Sequence, residues 1–263
     1  MRNNNNNNDD DDKIKKLLDE ALATGALSQA SRTALDVVDV GVQINAGLGV
    51  SIDDVAASEV VLLTMMPDDS GSIAYARNTD VVCDGHNFVL ESMRGSRQAG
   101  EVLAHTRYLN GHVLFPYTTL DHSVAMTAHN FDPCHGTPLY DQTAVVLGTV
   151  IAKSQQLAQA GIAVRTVTLI ITDGGDSGSM RCKASDVCSL VTDMLQQENH
   201  IVAAMGIHDG STDFRKVFKA MGIPDRWVLT PGNSASEIRR AFAVFSQSAV
   251  RASQGVALGG FAN

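Results

Sequence analysis

The sequence predicts an α/β fold: a Rossmann-like three-layer sandwich with a mostly parallel central sheet, one antiparallel edge strand and helices on both faces. Three observations predict it. Short continuous apolar runs alternate with long helical stretches over most of the chain, the pattern of parallel strands joined by helical crossovers. The runs are rich in branched residues and show no polar alternation, as expected of strands buried on both faces. Two β-like stretches flank Asn110-Gly111, a dipeptide that suits a tight hairpin turn and so supplies the antiparallel strand.

Each element follows in order. Residues 1–12 hold the run Asn3 to Asn8 and the acids Asp9 to Asp12; nothing in them can be buried, and a flexible lead is expected. Residues 13–57 read as a helical preface packed on the main domain. Ile14, Leu17, Leu18 and Leu22 fall at helical spacing, Gly25 stops that helix, and Ala34 to Gly49 reads as a short helix and a loop. The main domain spans 58–263. Its first strand is Glu59 to Met66 (EVVLLTMM), ended by Pro67. The hairpin stretches VLAHTRY and HVLFPY lie between Glu101 and Thr118. Val164 to Thr172, Ile201 to Ile207 and the short Trp227 to Leu229 supply the remaining strands. Helices are expected over Val81 to Arg94, Tyr140 to Gln159, Ala184 to Glu198, Asp213 to Met221 and Ser236 to Ala252.

Composition narrows the function. The 263 residues are 44% hydrophobic and 19% charged, ordinary for a globular protein and enough for a core of normal size. The formal net charge of −9 argues against a nucleic-acid surface, which needs a dense basic patch. It suits a partner that brings its own cation, or a site that holds one. Four cysteines are too few and too scattered for a disulfide framework. No apolar run reaches the roughly 18 to 20 residues of a membrane span, and no apolar stretch follows Arg2 as a secretory signal would require. A cytoplasmic protein with no membrane or nucleic-acid partner is expected.

Sites in open parallel sheets lie beyond the carboxyl ends of the strands. Three segments should meet there: Asp68-Asp69-Ser70-Gly71-Ser72, Gly136-Thr137-Pro138-Leu139-Tyr140-Asp141, and Thr172-Asp173-Gly174-Gly175-Asp176. All three offer oxygen donors, which select a hard divalent cation: Mg²⁺ first, with Mn²⁺ or Ca²⁺ as alternatives. Simpler readings exist for each. Ser72 can cap a helix, and Thr137-Pro138 can be a threonine cap with proline at the first helical position. Cys134-His135 with Cys182 and Cys188 suggests zinc, but the Cys182 to Cys188 spacing does not match structural zinc pairs. Among the histidines, His129 and His135 should lie near the rim, while His86, His105 and His122 read as helix, strand and loop residues.

The combination D-x-S-x-S after one apolar strand, G-T-P-L-Y-D some 65 residues later and T-D-G after another strand resembles the von Willebrand factor type A (VWA) family over about Ser58 to Ala249. Its form is most similar to bacterial stand-alone members, including those linked to tellurium resistance and stress response. The resemblance implies a metal-ion-dependent adhesion site (MIDAS) in which Asp68, Ser70, Ser72, Thr137 and Asp173 hold the metal. Two hydroxyl ligands are neutral and leave the ion electrophilic, so a partner's Asp or Glu would complete its shell. Asp69, Gly136, Gly174 and Asp176 would line the partner-facing rim, and the helix after Ser72 would assist anion binding. The family's company also suggests an AAA+ ATPase acting in trans. Asp53 and Asp54, ahead of the strand that leads to the site, raise a regulatory cover by the preface as a further expectation.

The runner-up is a metal-dependent hydrolase acting on phosphoesters. Phosphatases of the haloacid-dehalogenase type need D-x-D, and the residue two after Asp68 is Ser70. No phosphate-binding loop and no G-x-S-x-G elbow is present. A binding module, not an enzyme, is therefore expected.

Overall fold

The structure, a computed structural model, describes residues 4–36, 40–256 and 259–261. The chain opens with three helices, α1 (Asn4–Ala23), α2 (Gln29–Ala34) and α3 (Val40–Leu48). Strand β1 (Glu59–Met66) follows, then the single-turn helix α4 (Gly71–Tyr75) and α5 (Thr79–Arg94). Strands β2 (Val102–Arg107) and β3 (Val113–Thr119) precede the long helix α6 (Leu139–Gln159). The rest is β4 (Ala163–Thr172), α7 (Ala184–Gln196), β5 (His200–Gly206), α8 (Phe214–Ala220), β6 (Val228–Leu229) and α9 (Ala235–Ser253).

The six strands form one sheet in the order β3-β2-β1-β4-β5-β6. Among the described strands only β2 and β3 run antiparallel; the register sets Leu63 against Ala104 on one side and Val167 on the other. The chain moves from β1 toward β2, then returns to β4 and continues toward β6. The carboxyl ends of β1 and β4 therefore flank the point where winding reverses, which is where a doubly wound sheet leaves a crevice.

The hairpin differs from a two-residue turn. Residues 108–112 form the loop, closed by Tyr108 N–H to His112 O at 2.8 Å and Gly111 N–H to Tyr108 O at 2.9 Å. Gly111 alone takes a positive φ, +95°; Asn110 instead accepts the His112 N–H through Oδ1 at 2.7 Å. A five-residue loop needs one left-handed position where the tightest turn needs two.

Helices α5 and α9 pack together on one face and α6 and α7 on the other. Helix α6 has fifteen buried residues out of 21, more than an amphipathic helix on a sheet buries. The reason is that α1 and α3 cover its outer side. Even Lys153 is buried on α6, with Nζ donating to Val50 O at 2.6 Å. The opening segment is tied down further by Ser28 N–H to Asp193 Oδ2 (2.7 Å) and Val50 N–H to Tyr117 O (2.8 Å).

Of the expected flexible lead, residues 1–3 lie outside the described residues and 4–12 form the first turns of α1. Lys15 pairs with Asp11 at 2.7 Å, and Asp11 lies against Gly41 in the first turn of α3, where a carboxylate meets unpaired backbone N–H groups. Asp53 and Asp54 sit in a turn before β1. They are thus beside the amino end of the strand that leads to the site, as expected, and roughly 25 Å from its exit at about 3.3 Å per residue, too far for these two acids to cover the site. Among the described residues no helix is long and apolar enough to cross a membrane.

Candidate metal-binding site

Pro67 ends β1 and releases the chain into Asp68. This carboxylate is fully buried and spent on two backbone amides and one hydroxyl. Its Oδ1 accepts Ser70 N–H at 2.8 Å; its Oδ2 accepts Thr172 Oγ1–H at 2.7 Å and Asp173 N–H at 3.3 Å. Asp68 thereby ties the exit of β1 to the exit of β4. Burial pushes its pKa up, against the hydrogen bonds that favour the charged form.

Those bonds aim the next side chains at one point. Ser72 Oγ–H donates to Asp173 Oδ1 at 2.6 Å, Ser70 Oγ lies 3.4 Å from the same oxygen, and the two hydroxyls are 2.9 Å apart. Ser70 and Asp173 are buried, while Ser72 is exposed, so the cluster opens outward on that side. Burial, and secondarily the neighbouring Asp68, raise Asp173 to about 6.

The capping readings can now be judged. Ser70 occupies the N-cap position of α4 but makes no side-chain cap bond, and Ser72 lies inside the helix. Their hydroxyls go to Asp173 instead. Helix α4 is a single turn, too short for the helix dipole expected after Ser72. Thr137 does not cap α6 either. Pro138 holds that position, and the amides of Tyr140 and Asp141 are capped by Ser179 Oγ, each at 3.0 Å.

Thr137 is buried on the adjoining loop. That loop is seated by Gly71 N–H to His135 O (3.1 Å), His135 N–H to Asp69 O (3.2 Å) and the reciprocal backbone pair of Thr137 and Ser177 (3.3 and 2.9 Å). The three segments expected to meet therefore do meet, and Asp68, Ser70, Ser72 and Asp173 join in one hydrogen-bonded group. Thr137 reaches it through its backbone neighbours.

The expected rim is mixed. Gly136 is exposed and Gly174 half-buried, with open space where a Cβ on Gly174 would point. Asp176 is half-buried and helps cap α6 through Tyr140 N–H at 3.2 Å. Asp69 is 1% exposed, not at the surface, because its Oδ1 anchors the hairpin loop through Asn110 N–H at 2.9 Å. Burial raises it to about 6.

Several supporting residues escaped the sequence reading. Thr172 Oγ1 bridges Asp68 and the Gly174 backbone. Asp141 accepts the N–H groups of Met180, Arg181 and Cys182 at 2.7–3.1 Å, pinning the loop after β4 to the start of α6. The threonine of T-D-G and the aspartate of G-T-P-L-Y-D were visible, but nothing local distinguishes a loop anchor from a solvated side chain.

The donor set fits a hard cation: two hydroxyls and a carboxylate oxygen within mutual hydrogen-bond range, with a second buried carboxylate behind them. Among the described residues no three of His, Cys, Asp and Glu gather as a metal cluster. His135 and His129 are exposed, His122 lies in an exposed turn, and His86 and His105 are buried in helix and strand.

No family model matches the sequence, and no curated protein matches it. Solved structures do. The pilus adhesin SpaC from Lactobacillus rhamnosus GG aligns with a TM-score of 0.52 at 14% identity, over 73% of this chain and 30% of that one. The fold is VWA-like. Proximal thread matrix protein 1 from the mussel byssus gives a TM-score of 0.48 at 16% identity, covering 73% of this chain and 48% of that one. One structure of that mussel protein carries a zinc-occupied MIDAS motif. The VWA domain of SpRpn10 gives 0.39 at 9% identity, over 69% and 93%. The chain spans under half the length of the mussel protein and about a third of the adhesin.

Proposed function

We propose that this chain is a metal-dependent protein-binding module whose site is held by Asp68, Ser70, Ser72, Thr137 and Asp173. The observation that carries the reading is the convergence of Ser70 Oγ, Ser72 Oγ and Asp173 Oδ1 within 2.6–3.4 Å at the switch point of the sheet. Ser70, Ser72 and Asp173 would touch the ion. Asp68 would act from behind by fixing Ser70 and Asp173, and Thr137 would close the side nearest Ser177. When bound, a divalent cation, Mg²⁺ by preference for this oxygen set, supplies an electrophilic position for a carboxylate oxygen of a partner protein.

The chain's residues do the rest by position. Asp68 spends its lone pairs on the two loops, so they cannot spread. Asp173 and Asp68 are buried acids that repel each other, which favours a cation between the loops. Gly136 and Gly174 keep the approach open. Binding and not turnover is the proposed activity. A bacterial stress-response or AAA+-associated complex, and a place in the cytoplasm, belong to the same proposal through the motif's resemblance.

Calorimetric titration of Mg²⁺ into the wild type and into the Ser70→Ala, Ser72→Ala double variant tests the site. Saturable uptake by the wild type alone is expected. Equal uptake by both, or none by either, would sink the reading. Affinity capture with Mg²⁺ and again with a chelator then separates cation-dependent partners from the rest.

A further inference from the structure

The amino ends of β4 and β5 form the opposite edge of the sheet from Asp173, roughly 30 Å away at about 3.3 Å per residue of β4. There the surface opens into a cavity of about 590 Å³. That is the size of a small-molecule pocket, for which roughly 300–1,000 Å³ is usual.

Its lining is chemically specific. Arg165 and Arg226 both face the cavity, and each guanidinium is a planar fork of donors matched to a carboxylate or phosphate. Arg165 Nη2 lies 2.8 Å from Glu59 Oε1, which steadies the side chain and leaves its other N–H groups. Arg226 forms no ion pair with a carboxylate among the described residues. The other acid at the cavity, Glu198, is exposed at its mouth, where water screens it.

Both arginines are backed by glycine. At Gly255, φ is +72° and a Cβ would sit 2.6 Å from Arg165 Nη1. At Gly260 a Cβ would sit 2.8 Å from Arg226 Cβ, and the next residue, Phe261, bonds Arg226 O at 3.0 Å and stacks edge-on against Trp227. Gly255 is thus laid on the Arg165 guanidinium, and Gly260 on the Cβ and backbone of Arg226. Trp227, 3% exposed, forms part of the cavity floor. His200, 5% exposed, is fixed by Nδ1 to Thr166 Oγ1 at 2.7 Å, leaving Nε2 as the ring's remaining polar atom.

We infer that this cavity binds a small organic anion, a phosphate or carboxylate held between Arg165 and Arg226 on a body large enough to reach Trp227. The inference does not depend on the metal site. Two arginines line one cavity, Arg165 steadied by Glu59 and Arg226 exposed without a carboxylate partner among the described residues, and an oxyanion suits both. The volume exceeds what inorganic phosphate would fill.

The test is calorimetry on the full chain with three probes: inorganic phosphate, adenosine 5′-monophosphate and citrate. At least one organic anion should bind saturably, more tightly than inorganic phosphate. Arg226→Ala, an exposed position where folding is safe, should weaken that binding tenfold or more, with Arg226→Lys in between. The Ser70→Ala, Ser72→Ala variant should bind it as the wild type does. The inference is overturned by no binding of any probe at millimolar concentration. Equal affinity in Arg226→Ala, or inorganic phosphate binding as tightly as both organic anions, overturns it too.

Discussion

Ser72 Oγ donates to Asp173 Oδ1 at 2.6 Å although 101 residues separate the two in sequence. The contact exists because β1 and β4 are neighbours in the sheet, with Met66 paired to Ile170 and β4 running two residues further to Thr172. Asp68 then bonds across the pair of loops. A polar cluster that is assembled by the sheet, and not by a single loop, is positioned by the core itself.

Cation binding should therefore appear as stability. With Mg²⁺ a hundredfold above its dissociation constant, linkage gives about 2.7 kcal/mol, a rise of several degrees in melting temperature for a domain of this size. Asp173→Asn should remove that rise. Its cation-free melting point should not fall far, because the substitution also relieves the repulsion between two buried acids. Differential scanning with and without a chelator measures both, and an unchanged Mg²⁺ response in the variant contradicts the assignment.

Acid should weaken the fold through His105. Burial lowers its pKa from 6.5 to about 3, with Nδ1 held 2.7 Å from Phe115 O and Nε2 buried without a partner. A depressed histidine binds its proton in the unfolded chain first. Its stabilising contribution is thus complete above about pH 6.5 and lost as pH falls from there toward 3, at about 1.4 kcal/mol per pH unit. Asp69 and Asp173, raised to about 6, act in the opposite direction between about pH 6 and 4. The difference between the wild type and His105→Gln cancels their effect. Urea midpoints at pH 7.5 and 5 should converge for the two proteins as pH drops; a constant gap would refute the assignment.

What the sequence could say depended on whether the signal was local. The run EVVLLTMM coincides with β1, and the expected limits of β4 and β5 fall within a residue of those observed, because burial on both faces leaves an unbroken apolar stretch. Helix α2, QASRTA, left no such trace: Ser31 is its one buried residue, and it is held by the Ser28 cap and by Asp193 from α7. Four of the five proposed metal residues join through spacing that survives in sequence. The anchors Asp141, Ser179 and Asn110 do not announce themselves, since an amide partner 30 or 40 residues away carries no pattern. Asp69 was misplaced for the same reason.

Gly49 should be intolerant of any side chain. Its φ is +62°, and a Cβ would fall 1.9 Å from Tyr117 O, in the same contact that pairs Val50 N–H with that carbonyl. Backbone cannot yield as a side-chain tip can. Gly49→Ala should cost about 3 kcal/mol or more, combining left-handed strain with displacement of the α3–β3 seam. Gly25→Ala, at φ +78° with nothing within 4 Å, isolates the strain and should cost about 1 kcal/mol. Equal losses in thermal melts of the two variants would show that the close approach is unimportant.

The seam between α5 and α9 offers a test by compensation. A Cβ at Gly85 would meet Phe242 Cδ2 at 2.1 Å, and Phe242 is fully buried. Gly85→Ala should cost about 1–3 kcal/mol by overpacking, even though alanine is the better helix former by about 1 kcal/mol. Phe242→Leu alone loses buried ring and leaves a void. Together they should be less harmful than their sum, because the shorter side chain vacates the space the new methyl needs. A double-mutant cycle on urea midpoints reads the coupling, expected at about 1 kcal/mol or more in favour of the pair. Simple additivity would mean that the helices move apart instead of clashing, and that Gly85 is not what sets their spacing.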